Sequence, residues 1–189
     1  FVGAGVAGSA LGMDKALAKS VLRDRGLPVV PCVAVGEADW RADAARVLRS
    51  IRRALPLPLF VKPSSLGSSV GITKVADRGG IRAALDTAFR YGSTALVEKA
   101  IAGRELELSV LGNENPVASL PGEIIPHGEF YDYADKYLDG KTGFVIPAEL
   151  GPRTTARIRT LGVAAFRALA CSGMARVDFF LEKGTGRLY

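Results

Sequence analysis

The stretch LFVKPSSLGSSVGITKV, residues 59–75, decides how this sequence is read. Lys62 stands in a run of β-formers, a loop with Gly67, Ser68, Ser69 and Gly71 follows, and a second β-prone run leaves it. In the common G-x-x-x-x-G-K-[ST] phosphate loop the lysine follows the glycines and opens a helix. Here it precedes them, and the loop joins two expected strands, 58–63 and 69–75. With Pro63 stopping regular pairing, the Lys62 ammonium projects from a fixed backbone toward the loop. Glycines let backbone N–H groups approach phosphate oxygens closely, and serine hydroxyls add donors. The pattern predicts a β-hairpin lid over phosphates, with an ordinary flexible hairpin as the competing reading.

Outward from the hairpin, residues 14–25 carry a helical pattern that Gly26 and Pro28 end, and LPVVPCVAV (27–35) reads as a strand. Asp39 is expected to cap a helix in which Trp40, Ala44, Val47, Leu48, Ile51 and Leu55 recur every three or four positions. Pro56 and Pro58 close it. Beyond the hairpin, Asp77 heads a helix with Ile81, Leu85, Ala88 and Phe89 on one face, and TALVEKAI (94–101) is a strand. The pattern then changes. RELELSVLG (104–112) alternates Leu106, Leu108 and Val110 against Glu105, Glu107 and Ser109, as a half-buried strand does. A turn at 113–116, short strands in 117–126, a long loop at 127–143, a helix at 152–170 and a strand at 173–182 complete the chain. The fold class expected is α+β: an entry segment at 1–13, one subdomain with the hairpin at 14–101 and a second at 102–189.

With 189 residues, 48% of them hydrophobic, the chain can bury a core. No apolar run approaches the ~20 residues that span a bilayer, so no membrane partner is expected. The opening lacks a basic stretch before its apolar residues, against a signal peptide. It also lacks an initiator Met, and the far end stops where a strand begins, so the sequence is expected to be an excerpt of a longer protein. Cys32 and Cys171 sit in apolar contexts far apart and read as a reduced pair of small core hydrophobes. The net charge of +6 comes from dispersed arginines without interleaved aromatics, which disfavours nucleic acid as a partner.

The neighbours of Lys62 strengthen a nucleotide reading. LVEKAIAGRELEL (96–108) ends a strand in Glu98 and Lys99 and runs through Ile101 to Glu105. Adenine needs an apolar slot with backbone donors and acceptors at its edge, and a ribose needs a carboxylate. This segment supplies both, although Glu98 and Glu105 taken singly read as solvated strand ends. ARVDFF (175–180) places Arg176 and Asp178 two apart on one strand face. Such a pair is often structural; opposite a phosphate loop, Asp178 suits Mg²⁺ and Arg176 an anion.

In this order, FVKPSSLGSSVGITKV, LVEKAIAGRELELSVLGN, PGEIIPHGEFYDYADKY and GMARVDFF resemble the ATP-grasp enzymes, and among them the D-alanine–D-alanine ligases. GSALGMDK resembles that family's entry into its central domain, so the resemblance covers essentially the whole chain. It implies two α+β subdomains clamping ATP between antiparallel sheets, with the Gly/Ser hairpin as a lid. Lys15 and Lys62 match lysines that contact the phosphates, and Gly67, Ser68 and Ser69 match the lid. Glu98, Lys99 and Ile101 match the adenine hinge, and Glu105 the ribose carboxylate. Lys136 and Tyr137 match the loop that folds over the substrates, where the tyrosine orients Ser68. Arg176 matches the arginine that steadies the transferred phosphate and the tetrahedral oxyanion, and Asp178 a metal ligand. ATP and Mg²⁺, with Mn²⁺ as its alternative, are the cofactors implied. D-alanine is the substrate implied, peptidoglycan precursor synthesis the role, a homodimer the assembly and the cytoplasm the compartment.

EFYDYADKY (129–137) resembles the tyrosine-containing loop of dipeptide ligases rather than the histidine-containing loop of their D-Ala–D-lactate relatives, since His127, the single histidine, lies ahead of it. The resemblance implies a dipeptide product. Relatives carry an N-terminal domain that binds the first D-alanine, and a following strand with further metal ligands. Neither is in these residues, so they are not expected to turn over by themselves. Ala100 stands where relatives often have a large aromatic residue, which loosens the expected adenine pocket. The alternatives are another ATP-grasp ligase with a different acceptor, such as D-lactate, and a nucleotide-binding module without catalysis.

Overall fold

The structure, a computed structural model, describes residues 3–126 and 142–189. Its contacts group the chain into two compact units, one of Met13–Ala16 and Val30–Ile101, the other of Phe1–Gly12, Leu17–Val29 and Ala102–Tyr189. Residues Leu17–Val29 thus group with the second unit, whereas the sequence reading assigned them to the first.

The first unit is built on a four-stranded antiparallel sheet of β1 (Cys32–Gly36), β2 (Leu59–Pro63), β3 (Thr73–Val75) and β4 (Thr94–Lys99), in the order β1-β4-β2-β3. Strand alternation sorts its side chains by face. Val35, Leu59, Val61, Val75, Ala95 and Val97 form one apolar core with Trp40, Ile51, Ile81 and Leu85 from three helices. These are α3 (Glu37–Ala42), α4 (Ala44–Ala54) and α5 (Ile81–Ala88), which follow α1 (Val6–Met13) and α2 (Lys15–Asp24) in the chain. Ile51, Val61 and Val97 are completely buried.

Several local details differ from the sequence reading. The helix expected after Asp39 is two helices, because Asp43 leaves helical geometry at φ −153° and its side chain accepts from the Arg46 amide at 2.8 Å. Asp43, not Asp39, is the capping residue of the longer piece; the apolar spacing runs on across the break and hides it. Asp77 accepts from the amides of Gly79 and Gly80, and the α5 cap position is Gly80. The strand expected at 69–75 shrinks to β3, because Ser68, Ser69 and Gly71 take φ of 53°, 58° and 71°, which no strand accommodates. Helix α1 occupies part of the segment read only as an entry.

The second unit is another antiparallel sheet. β5 (Gly103–Gly112) pairs along its whole length with β9 (Gly173–Glu182), and its opposite edge is shared by β7 (Gly122–Ile125) and β6 (Val117–Ala118). β8 (Gly143–Val145) extends the sheet beyond β7. Leu106, Leu108 and Val110 are buried as the alternation predicts, against Ile158 and Phe166 of helix α6 (Pro152–Ala168). A Cβ on Gly162 would lie 2.9 Å from Leu108 Cδ1, so the glycine lets helix and strand approach. Arg104 fastens β5 to β7 through a bidentate pair with Glu123, at 2.7 and 2.6 Å, and donates to the Glu149 carbonyl at 3.0 Å. That hydrogen bond to Glu123 raises the guanidinium's affinity for its proton. Among the described residues no helix is long and apolar enough to cross a membrane.

Candidate functional site

In the first unit, Lys62 and Glu98 share the sheet face opposite the apolar core. The register sets Phe60 opposite Glu98 and Lys62 opposite Leu96, so Lys62 reaches Glu98 diagonally across β2 and β4. Their ion pair is 2.5 Å long, with the side chains 18% and 8% exposed. Cys32, Phe60 and Leu96 lie on the same face by register; Cys32 and Phe60 are partly exposed beside the charged pair, and Leu96 is buried. Lys74, opposite Phe60, adds a second cation to that face and was not singled out in the sequence. Strand parity puts Lys99 on the other face from Glu98, and the hinge beyond it is fixed by Lys99 and Ala100 amides donating to the Pro31 and Pro58 carbonyls.

The loop after β2 is shaped by its own backbone. Val70 N–H donates to Gly67 O, and Ile72 N–H to Ser69 O, at 3.2 and 3.4 Å. Two adjacent serines in the left-handed region are strained, and such outliers cluster at ligand clamps. Gly67 is open, with nothing within 4 Å of a Cβ, whereas a Cβ on Gly71 would meet Tyr91 Cδ2 at 2.8 Å and Pro63 Cγ at 2.9 Å. Lys15 sits at the loop's root: its Nζ donates to the carbonyls of Leu66 and Ser64, and its amide to Ser64 O at 3.0 Å. Fully buried Ser64 donates to Asp14 Oδ1, and Asp14 also accepts from the Ala16 amide that opens α2. Asp14 and Ser64 were missed in the sequence, although an Asp just before a helical run is an N-cap signal.

In the second unit, Glu105, Glu107, Ser109, Arg176, Asp178 and Phe180 occupy the sheet face opposite α6, because β5 and β9 pair Glu105 with Phe180, Glu107 with Asp178 and Ser109 with Arg176. Arg176 donates from Nε to Asp178 Oδ1 at 2.7 Å and from Nη2 to Oδ2 at 2.9 Å. Glu107 Oε2 lies 3.2 Å from Arg176 Nε, a neighbour the sequence reading did not assign. The face therefore presents a guanidinium between two carboxylates. Magnesium binds through one or two carboxylates plus phosphate oxygens and keeps its remaining waters. Asp178, an exposed hard oxygen donor beside Glu107, fits that requirement. Among the described residues no group of three His, Cys, Asp or Glu side chains is arranged to hold a metal.

Lys136, Tyr137 and His127 lie outside the described residues. A cavity of about 580 Å³ lined by Trp40, Arg41, Arg82, Asp86, Phe89 and Arg90 opens among the helices of the first unit and contains none of the expected site residues. Cys171 is half-buried, and burial pushes its thiol up, as befits a neutral packing residue.

Residues 21–189 match the family model described as the D-ala D-ala ligase C-terminus. The chain belongs to the D-alanine–D-alanine ligase family. It is 52% identical over 189 residues to a D-alanine–D-alanine ligase of Solibacter usitatus, covering all of this chain and 56% of that protein. It is 47% identical over 188 residues to the D-alanine–D-alanine ligase of Chlorobaculum parvum, covering 52% of it. The chain thus spans about half the length of these curated relatives. Among solved structures, the VanG D-Ala:D-Ser ligase from Enterococcus faecalis superposes with a TM-score of 0.87 at 33% identity, over 99% of this chain and 53% of that one. The D-alanine–D-alanine ligase from Coxiella burnetii superposes with a TM-score of 0.83 at 39% identity, over 99% and 48%. The family's ATP-grasp fold, an α+β architecture of antiparallel sheets, is the fold of this chain.

Proposed function

We propose that the protein containing this chain joins two D-alanines with ATP, forming D-Ala–D-Ala for peptidoglycan. The observation that carries the reading is the family match along residues 21–189, with curated relatives near half identity. The carboxylate of the first D-alanine attacks the γ-phosphorus and ADP leaves, giving an acyl phosphate. The amine of the second D-alanine then attacks the acyl carbon and loses a proton, and phosphate departs from the tetrahedral adduct. Chemistry of this kind needs positioning and charge neutralisation more than a covalent nucleophile.

The residues take roles that suit it. Lys62, aligned by Glu98, and Lys15, at the loop's root, hold phosphate oxygens; Ser68 and Ser69 with the Gly67 backbone close over them. Cys32 and Phe60 offer apolar surface to the flat base, with Lys99 and Ile101 along its edge and Glu105 at the ribose. Arg176 neutralises the transferred phosphate and the oxyanion. Mg²⁺, or Mn²⁺ in its place, supplies charge screening between phosphates when bound, and Asp178 is the residue here that would hold it. Lys136 and Tyr137 cover the substrates. The protein acts in the cytoplasm as a homodimer.

The acceptor has a second reading, because the VanG neighbour is a D-Ala:D-Ser ligase. The test is ADP release by the full-length parent with Mg²⁺, with D-alanine alone and with D-serine or D-lactate added, beside Lys62→Ala. D-alanine-dependent release that Lys62→Ala abolishes is the expected result. Faster release and a mixed product with D-serine or D-lactate would move the acceptor assignment, and ATP binding without any amino-acid dependence would leave a nucleotide-binding module.

A further inference from the structure

Glu107 has no part in the reaction as just derived, yet it faces the groups that do. It stands directly opposite Asp178 in the β5–β9 register, with Ser109 opposite Arg176, so the guanidinium reaches Glu107 across one diagonal step of the sheet. At present both Asp178 oxygens are engaged by Arg176, at 2.7 and 2.9 Å. A divalent cation taking the remaining lone pairs of that carboxylate repels the guanidinium and loosens its hold on Asp178. The Arg176 side chain is 57% exposed, and a guanidinium whose pair with one carboxylate is loosened gains by turning to another within reach.

Glu107 is within reach. Its Oε2 is shut off from solvent and makes no hydrogen bond of good geometry among the described residues, yet it lies 3.2 Å from Arg176 Nε. A buried carboxylate oxygen gains most when a donor turns to it, and a small rotation of the guanidinium aims Nε–H there. We propose that Glu107 is a positioning residue: it takes hold of Arg176 as Asp178 turns to the divalent cation, keeping the arginine's charge in one place beside the transferred phosphate. This rests on the ligase reading for its consequence in catalysis.

The test compares Glu107→Gln, Glu107→Leu and Asp178→Asn in the full-length parent. Its first readout is the ¹⁵Nε–H signal of Arg176, assigned through Arg176→Lys, with ADP and with or without Mg²⁺. Wild type should keep a slowly exchanging signal in both states. Glu107→Leu should keep it without Mg²⁺, where Asp178 holds the arginine, and exchange it faster than wild type with Mg²⁺; Glu107→Gln, which retains an acceptor, should fall between. Mn²⁺ affinity, by titration, should fall most in Asp178→Asn and only modestly in Glu107→Leu, because an acceptor for the displaced arginine favours the cation-bound state, with Glu107→Gln between wild type and Glu107→Leu. In steady state, Glu107→Leu should lower kcat about ten- to hundredfold with little change in KM for ATP, as misplacement of one catalytic group does. Mn²⁺ binding weakened as much in Glu107→Gln as in Asp178→Asn would make Glu107 a metal ligand and overturn the proposal. So would a kcat loss that follows a lowered melting temperature with the Nε–H signal unaltered, or no effect of Glu107→Leu on either. Absence of D-alanine-dependent ADP release in wild type would defeat the ligase reading instead, while the Nε–H signal would still decide whether Glu107 holds Arg176.

Discussion

At the scale of single residues, the loop after β2 owes its shape to Gly71 more than to Gly67. Gly71 combines φ of +71° with space for no Cβ between Tyr91 and Pro63, while Gly67 stands in the open. Left-handed geometry costs a side-chain-bearing residue ~1–2 kcal/mol, and overpacking adds ~1–3. Gly71→Ala is therefore expected to destabilise the parent protein by about 2–4 kcal/mol, read by denaturant unfolding, while Gly67→Ala stays within about 0.5 kcal/mol of wild type. Equal effects of the two would remove the steric argument. Lys62 carries a related lesson. Its place on a strand before a Gly/Ser loop was legible, but not its partner: Glu98, expected at an adenine hinge, forms the buried end of the lysine's ion pair.

At the scale of elements, β5 organises the second unit, and one of its ends is tied by a side chain. Arg104 holds Glu123 of β7 with two parallel hydrogen bonds and the carbonyl of Glu149 with a third, while Glu123 is mostly buried. Lysine cannot reproduce the planar fork. Arg104→Lys is expected to cost ~1.5–3 kcal/mol, the worth of a charge-assisted hydrogen bond, and to speed amide exchange in β7. Unchanged exchange there would show that the strand pairing holds without the fork. Element boundaries were less legible than their existence. The break between α3 and α4 lies at Asp43, where a capping side chain interrupts a helix without interrupting its apolar spacing. The shortening of β3 is likewise set by positive φ at Ser68 and Ser69, residues whose identities do not demand it.

At the scale of the whole molecule, a ligand that binds only the folded state stabilises it by mass action, by ~2.7 kcal/mol at a hundred times its Kd. The parent protein with a non-hydrolysable ATP analogue and Mg²⁺ is expected to show a rise of that size in its unfolding free energy, and Lys62→Ala to lose most of it. An equal rise in the variant would take Lys62 out of the phosphate site. Sequence by itself determined the alternation of β5, the apolar faces of α4 and α5, and the order of motifs that places the chain in its family. These are local or periodic properties, and periodicity is written along the chain. Tertiary structure alone decided that Lys62 meets Glu98 and that Lys15 meets the carbonyls of Leu66 and Ser64. It alone set Glu107 beside Arg176 and Asp178. Each of these contacts depends on strand register or on a meeting of distant segments. The alternation of apolar residues forbids a register shift of one residue, which would turn every side chain to the other face. A shift of two keeps the faces and changes every partner, and no residue type in the sequence specifies that choice.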